Sequence, residues 1–62
     1  MDETMTSKEA GAYLRTSDAV LQQWRYLGKG PKYYKLGRKV LYKRADLDAW
    51  VESQAVTPGA SA

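Results

Sequence analysis

The residues with the clearest chemical potential lie in a basic segment that runs from Lys32 to Arg44. This segment holds six lysines and arginines and no acid, whereas residues 1–31 hold four bases and four acids and residues 45–62 hold three acids and no base. The net charge of +3 is therefore concentrated in one short stretch. Such a block of one sign indicates an anionic partner or a disordered tail. The interleaved tyrosine and aliphatic residues argue against disorder, because they need burial.

A turn signal, Gly37-Arg38, divides the basic segment into two stretches with strand character. The segment therefore predicts a cationic β-hairpin, a shape that suits a DNA groove. A two-residue loop would pair Leu36 with Lys39, whereas a three-residue loop that includes Lys39 pairs Leu36 with Val40. We predict the second register, because it collects apolar residues on one face. The inner face would then hold Tyr34, Leu36, Val40 and Tyr42, and the outer face Tyr33, Lys35, Leu41 and Lys43.

The composition narrows the classes of function. A chain of 62 residues makes one small domain, and without cysteine or histidine it has no disulfide, no thiolate or imidazole metal ligand and no histidine acid-base group. A small core also offers little concavity for a site. We expect no enzyme activity, no cofactor, no metal and no small-molecule ligand.

Membrane insertion is not expected either. No apolar run approaches the ~20 residues that a bilayer requires, and the N-terminal residues are too polar for a signal peptide. A sequence pI near 9.3 fits an anionic membrane surface as well as nucleic acid, but the basic block has strand character rather than that of an amphipathic helix. We therefore expect a cytoplasmic protein.

Two helices are predicted before the hairpin. Thr6 and Glu9 form a capping-box pattern that starts the first, and Ser17 is a strong N-cap for the second, which runs from Asp18 to about Leu27. Gly28 favours the left-handed conformation that ends a helix. The apolar stripe of the second helix holds Val20, Leu21, Trp24 and Leu27. The residues expected to face away are Asp18, Ala19, Gln22, Arg25 and Tyr26, with Gln23 on the flank.

A third helix is predicted from about Arg44 to Ser53, with a poor N-cap. Trp24 and Trp50 are expected to be the main core residues, packed with Leu14, Leu21 and Leu47 and joined by Tyr13, Tyr34 and Tyr42. Residues 54–62 have no periodicity and are predicted to be a disordered tail. The order of helix, turn, helix, hairpin and helix predicts a small α+β fold, a winged helix-turn-helix, over residues 1–53.

The second helix carries side chains that can read bases. Gln22 and Gln23 can pair with adenine, Arg25 can reach guanine or a phosphate, and Ala19 can touch a thymine methyl group. Any short surface helix also exposes such residues, so an ordinary solvated face is the alternative. Ser17, Asp18 and Tyr26 complete the predicted recognition helix.

The hairpin is expected to act as a wing. Arginine at its tip suits a narrow minor groove, and the predicted wing contacts are Lys35, Gly37, Arg38 and Lys39. The alternative is an edge hairpin that lysines protect from aggregation. The phosphate contacts are predicted to be Arg15, Lys32, Tyr33, Lys43 and Arg44.

Three segments, MTSKEAGAYLRTS, VLQQWRYLGKGP and YKLGRKVLYKRADLDAW, resemble the excisionase-type helix-turn-helix domains, relatives of the MerR-like winged helices. The resemblance implies that the second helix lies in the major groove and the wing in the adjacent minor groove. The base-reading positions would be Asp18, Ala19, Gln22 and Gln23, and the wing tip Arg38 and Lys39.

The same resemblance implies a recombination directionality factor. Such a protein binds repeated sites on double-stranded DNA cooperatively, bends the DNA and directs a phage tyrosine integrase toward excision, and head-to-tail self-association on DNA is compatible with that role. A small transcriptional regulator of phage or mobile-element genes is the alternative. A protein-interaction module is a third class, which a salt-sensitive duplex complex would exclude.

Overall fold

The three predicted helices are present in the computed structural model, which describes residues 3–56 and 58. They are α1 (Ser7–Tyr13), α2 (Asp18–Leu27) and α3 (Arg44–Ser53). The capping box is confirmed, because the Glu9 amide donates to Thr6 Oγ1 at 3.1 Å and the Thr6 amide donates to Glu9 Oε1 at 2.8 Å. The fold class predicted from the sequence is also confirmed.

The boundaries of α2 follow from its local sequence. Ser17 Oγ accepts from the Val20 amide at 3.2 Å, and Gly28 ends the helix in the left-handed region with φ of 72°. At α3, Lys43 provides no side-chain cap, as its residue type predicted. These termini depend on contacts a few residues apart, which is why the sequence predicts them.

The helix-turn-helix is tight because Gly11 is buried where α1 meets the start of α2. A Cβ atom at Gly11 would lie 2.8 Å from the Ser17 carbonyl carbon. The Thr16 amide donates to the Gly11 carbonyl at 2.7 Å, and Arg15 adopts a φ of 60° within the turn. Only a residue without a side chain allows the two backbones to approach this closely.

The sheet has three antiparallel strands rather than two. Its strands are β1 (Thr4–Thr6), β2 (Tyr34–Leu36) and β3 (Lys39–Lys43), in the order β1-β3-β2. Sequence analysis did not predict β1, since three residues are too few to show a strand pattern and its partner is far along the chain. Met5 pairs with Tyr42 and is 9% exposed, so β1 covers one edge of the central strand.

The predicted hairpin register is wrong. Leu36 pairs with Lys39 and Lys35 with Val40, so the loop is the two-residue Gly37-Arg38. Gly37 has a φ of 64°, as the first central position of a type II′ turn requires. Val40 and Tyr42 still face the core, but Tyr34 and Leu36 lie on the opposite face with Leu41, and Leu36 is 58% exposed. Turn geometry therefore decides this register over apolar segregation.

The core is centred on Tyr42 rather than on the tryptophans. Tyr42 is 1% exposed, whereas Trp24 and Trp50 are only half-buried, with ring centroids 5.1 Å apart. Tyr13 was expected in the core but is 43% exposed. Packing of α1, α3 and β1 against the central strand β3 explains the change. The buried hydrophobic residues are Met5, Ala10, Leu21, Tyr42 and Leu47, with Leu14, Trp24 and Val40 packed against them.

After α3 the structure describes residues 54–56 and 58, which form no helix or strand. The remaining positions of the predicted tail lie outside the described residues, so the division between a domain of residues 1–53 and a disordered tail stays a prediction. Within the described part of the chain, no helix has the length and apolar character needed to cross a membrane.

Candidate nucleic-acid interface

The outer face of α2 presents polar side chains to solvent. Ala19, Gln22, Gln23 and Tyr26 are exposed, and at about 100° per residue they fall within an arc of about 100°. Tyr26 is 89% exposed. The opposite side of the helix places Leu21 in the core. This face combines amide donors and acceptors, a methyl group and a phenol on one rigid element, and Ser17 is exposed at its N-terminal end.

Asp18 is held at the edge of this face by two hydrogen bonds. One of its carboxylate oxygens accepts from the Ser7 hydroxyl, and the other accepts from Gln22 Nε2 at 3.3 Å. Asp18 is half-buried. Its carboxylate is thus engaged within the protein, while Gln22 is the exposed member of the pair.

Arg25 does not face away from the domain, contrary to the prediction. Its Nη1 donates to Ser7 Oγ at 3.0 Å and to the Tyr42 hydroxyl at 2.8 Å, and its guanidinium carbon lies 5.7 Å from the centre of the Tyr33 ring. The helical pattern assigned Arg25 to the outward set, although at about 100° per residue it lies only about 40° from Leu21 of the apolar stripe. Its partners are 17 and 18 residues away along the chain, so no local signal reveals them.

The tip of the wing is exposed and cationic. Lys35, Gly37, Arg38 and Lys39 are all exposed, and a Cβ atom added at Gly37 would meet nothing within 4 Å. Among the ion pairs between described residues, none involves Lys35, Arg38 or Lys39. These cations are therefore available to an anionic partner.

The base of the wing carries two further lysines around one aromatic ring. Lys32 Nζ lies 5.4 Å and Lys43 Nζ 4.9 Å from the centre of the Tyr34 ring. The Tyr34 hydroxyl donates to Asp46 Oδ2 at 3.0 Å. A hydrogen bond with the Tyr34 phenol raises the pKa of Lys32 above its ordinary value of 10.5.

The remaining predicted phosphate contacts differ in their surroundings. Arg15 is exposed in the turn between the helices, and Tyr33 is 39% exposed beside the Tyr42 ring, with a centroid separation of 6.1 Å. Arg44 instead pairs with Glu3 at 3.2 Å and with Asp48 at 3.9 Å. Two nearby carboxylates make Arg44 the least favourable of the predicted contacts for a phosphate.

No group of three or more residues able to bind a metal ion occurs within residues 3–56 and 58. In α3, Asp46 accepts a hydrogen bond from the Tyr34 hydroxyl, and Asp48 accepts one from the Tyr13 hydroxyl. That bond is the largest cause of a rise in the pKa of Tyr13 above its usual value of 10.0. α3 holds three acids and one base, whereas the two strands of the wing hold lysines and no acid.

A helix-turn-helix with an exposed polar second helix and a basic wing defines the winged helix-turn-helix class of DNA-binding domain. The sequence matches the family of helix-turn-helix domains over residues 4–55, which is most of the chain. The chain therefore belongs to this family, whose members bind DNA and are typically not enzymes. A comparison with curated proteins finds no match. The roles of individual residues at the DNA stay predictions.

Proposed function

We propose that this protein is a sequence-specific architectural DNA-binding protein of the excisionase type. In this proposal it binds repeated sites cooperatively, bends the DNA and directs a phage tyrosine integrase toward prophage excision, within the cytoplasm of a bacterial host. The resemblance of the wing and third-helix segments to excisionase-type domains supports the specific role. The DNA-binding part rests on the exposed cations of the wing tip, which form no ion pair with another described residue.

The dimensions of α2 support a major-groove position. A helix of ten residues is about 15 Å long, and a groove about 12 Å wide admits it. With Leu21 packed in the core, the exposed arc of Ala19, Gln22, Gln23 and Tyr26 would meet the base edges. Ser17 and Asp18 lie at the N-terminal end of the helix, which approaches bases in helix-turn-helix complexes.

The wing would then enter the adjacent minor groove. Its position relative to α2 is held by Arg25, which contacts Ser7 and Tyr42 by hydrogen bonds and the Tyr33 ring by a cation-π interaction. Arg38 and Lys39 lie at its tip, and a narrow minor groove attracts arginine electrostatically. Proteins that bind the minor groove often bend the duplex, so a wing in this position is compatible with the proposed bending.

The first experiment identifies the site and its geometry. Duplexes selected from a random pool would be used in gel-shift assays at several salt concentrations and in a circular-permutation bending assay. About six phosphate contacts give a slope of about −5 in a plot of the logarithm of the binding constant against the logarithm of the salt concentration. A salt-sensitive, sequence-specific and bent complex supports the proposal, whereas no salt-sensitive complex with any duplex contradicts DNA binding itself.

The second experiment separates the architectural role from transcriptional regulation. Duplexes with one, two and three copies of the selected site test cooperative, head-to-tail binding. If a tyrosine integrase is encoded beside this gene, an excision assay with that integrase tests the recombination role. Cooperative binding and loss of excision on deletion of the gene are expected. Unchanged excision, with altered transcription of neighbouring genes, would instead identify a small transcriptional regulator.

A further inference from the structure

A chain of hydrogen bonds connects the core to the outer face of α2. The buried Tyr42 accepts from Arg25, Arg25 also donates to Ser7, and Ser7 donates to Asp18. Asp18 then accepts from Gln22 Nε2 at 3.3 Å. These contacts join three elements, β3, α1 and α2, and they end on an amide that is exposed to solvent.

From this arrangement we infer that Asp18 is a positioning residue that orients the Gln22 amide to read adenine. The inference rests on the proposed function, since it names the base that one position of the interface recognises. Gln22 is the residue that touches the base, and Asp18 acts through it. Ser7 and Arg25 keep the Asp18 carboxylate in place.

The chemistry of the carboxylate sets the orientation of the amide. An ionised carboxylate can only accept hydrogen bonds, so Gln22 must present its NH2 group to Asp18. The flipped amide would place Oε1 against the carboxylate oxygen, which is repulsive. The second N–H of Nε2 and the acceptor Oε1 are then left to point outward in a defined order.

The outward N–H and Oε1 of Gln22 match the hydrogen-bonding groups of adenine but not those of guanine. In the major groove adenine offers an acceptor, N7, beside a donor, the N6 amino group, whereas guanine offers two acceptors, N7 and O6. An outward N–H can donate to N7 of either purine. Oε1 of Gln22 accepts from the adenine amino group but would face the O6 acceptor of guanine, so a fixed amide excludes guanine.

The Asp18→Asn variant tests whether the carboxylate fixes the orientation of the Gln22 amide. Asparagine keeps the shape and the acceptor for Ser7, but its own amide can donate to Oε1 of Gln22 and so permits the flipped orientation. We expect the preference for adenine over guanine at the Gln22 position to fall about tenfold, within the range of a bidentate contact. Preferences at the other positions should change less than about twofold.

The measurement is a base-substitution scan on the selected duplex. Gln22→Ala identifies the base pair that Gln22 reads, because discrimination is lost there. Glu52→Gln is the charge-matched control: Glu52 is an exposed acid of α3, and its removal tests whether the loss of a negative charge alone changes base preference. Asp18→Glu restores a carboxylate and is expected to restore the preference for adenine.

Failure of this inference can be told apart from failure of the proposed function. If the unmodified protein forms no sequence-specific complex, both are overturned. If it does, then a base other than adenine at the Gln22 position, or an unchanged preference in Asp18→Asn, overturns only the inference. A uniform loss of affinity with a lower melting temperature in Asp18→Asn would show a merely structural role. In the Gln22→Ala background, Asp18→Asn should have no further effect on base preference.

Discussion

The hydroxyl of Tyr42 accepts a hydrogen bond from the guanidinium of Arg25 across 2.8 Å, and this contact joins the second helix of the helix-turn-helix to the central strand of the sheet. Tyr42 is 1% exposed, so the contact lies at the margin of the core. Because β3 is also one strand of the wing, one hydrogen bond relates the two elements that we propose to contact DNA.

Tyr42→Phe should lower the free energy of unfolding by about 1 kcal/mol, because it removes the acceptor but keeps the aromatic packing. Urea denaturation measures the change. Tyr26→Phe is the matched control, since the Tyr26 side chain is 89% exposed and its hydroxyl supports no contact in the core. Equal stability of the two variants would contradict a role for the Arg25 contact.

Arg38→Ala should weaken DNA binding, reduce the bend and lower the salt slope by about 1, as expected when one phosphate or groove cation is lost. Gel shifts over a salt series and the bending assay measure these effects. Lys29→Ala is the matched control, because Lys29 is an exposed cation beyond the C-terminal end of α2. The same affinity and bend in Arg38→Ala as in the control would remove the wing tip from the interface.

Gly11→Ala should lower the free energy of unfolding by about 1–3 kcal/mol. Helix propensity alone would favour alanine by about 1 kcal/mol, but the new Cβ would lie 2.8 Å from the Ser17 carbonyl carbon and 3.0 Å from the Asp18 nitrogen. These are backbone atoms that cannot rotate away. Ala12→Gly, at the next and exposed position of α1, measures the propensity effect separately, and a more stable Gly11→Ala variant would refute the steric argument.

Asp48→Asn should lower the pKa of Tyr13 toward the usual 10.0, because the hydrogen bond to the carboxylate is the largest cause of its rise. The folded pKa exceeds the unfolded one, so the Tyr13 contact stabilises the fold below the unfolded pKa and is lost as the pH rises through the folded pKa. NMR titration of the Tyr13 ring measures its pKa, and urea denaturation at several pH values measures the change in stability. Glu52→Gln should leave the Tyr13 titration unchanged, and an equal shift in both variants would point to a general charge effect.

The local features of the helices could be predicted because each depends on neighbouring residues. Thr6 with Glu9, Ser17 with Val20, and the left-handed Gly28 act within one turn of helix. The limits of α2 and α3 therefore agree with the prediction. The basic wing was also evident, since the charge of a segment does not depend on how it folds.

The hairpin register was not predictable from apolar alternation. The two-residue loop leaves Leu36 opposite Lys39 on the outer face, an arrangement that segregation of apolar residues disfavours. The core does not need Leu36, because Met5 from β1 packs beside Tyr42. Apolar packing on the inner face of the wing therefore depends on β1, whose pairing with β3 is a long-range contact that local sequence does not reveal.

The sequence by itself therefore determined the class of protein: two capped helices joined by a short turn, and a segregated basic wing, all properties of residues close together in the chain. The tertiary structure alone decided how the side chains of the interface are used. Arg25 turns toward Ser7 and Tyr42, and Asp18 holds Gln22. Those assignments depend on contacts between α1, α2 and β3, and the geometry that brings distant residues together is absent from any local pattern.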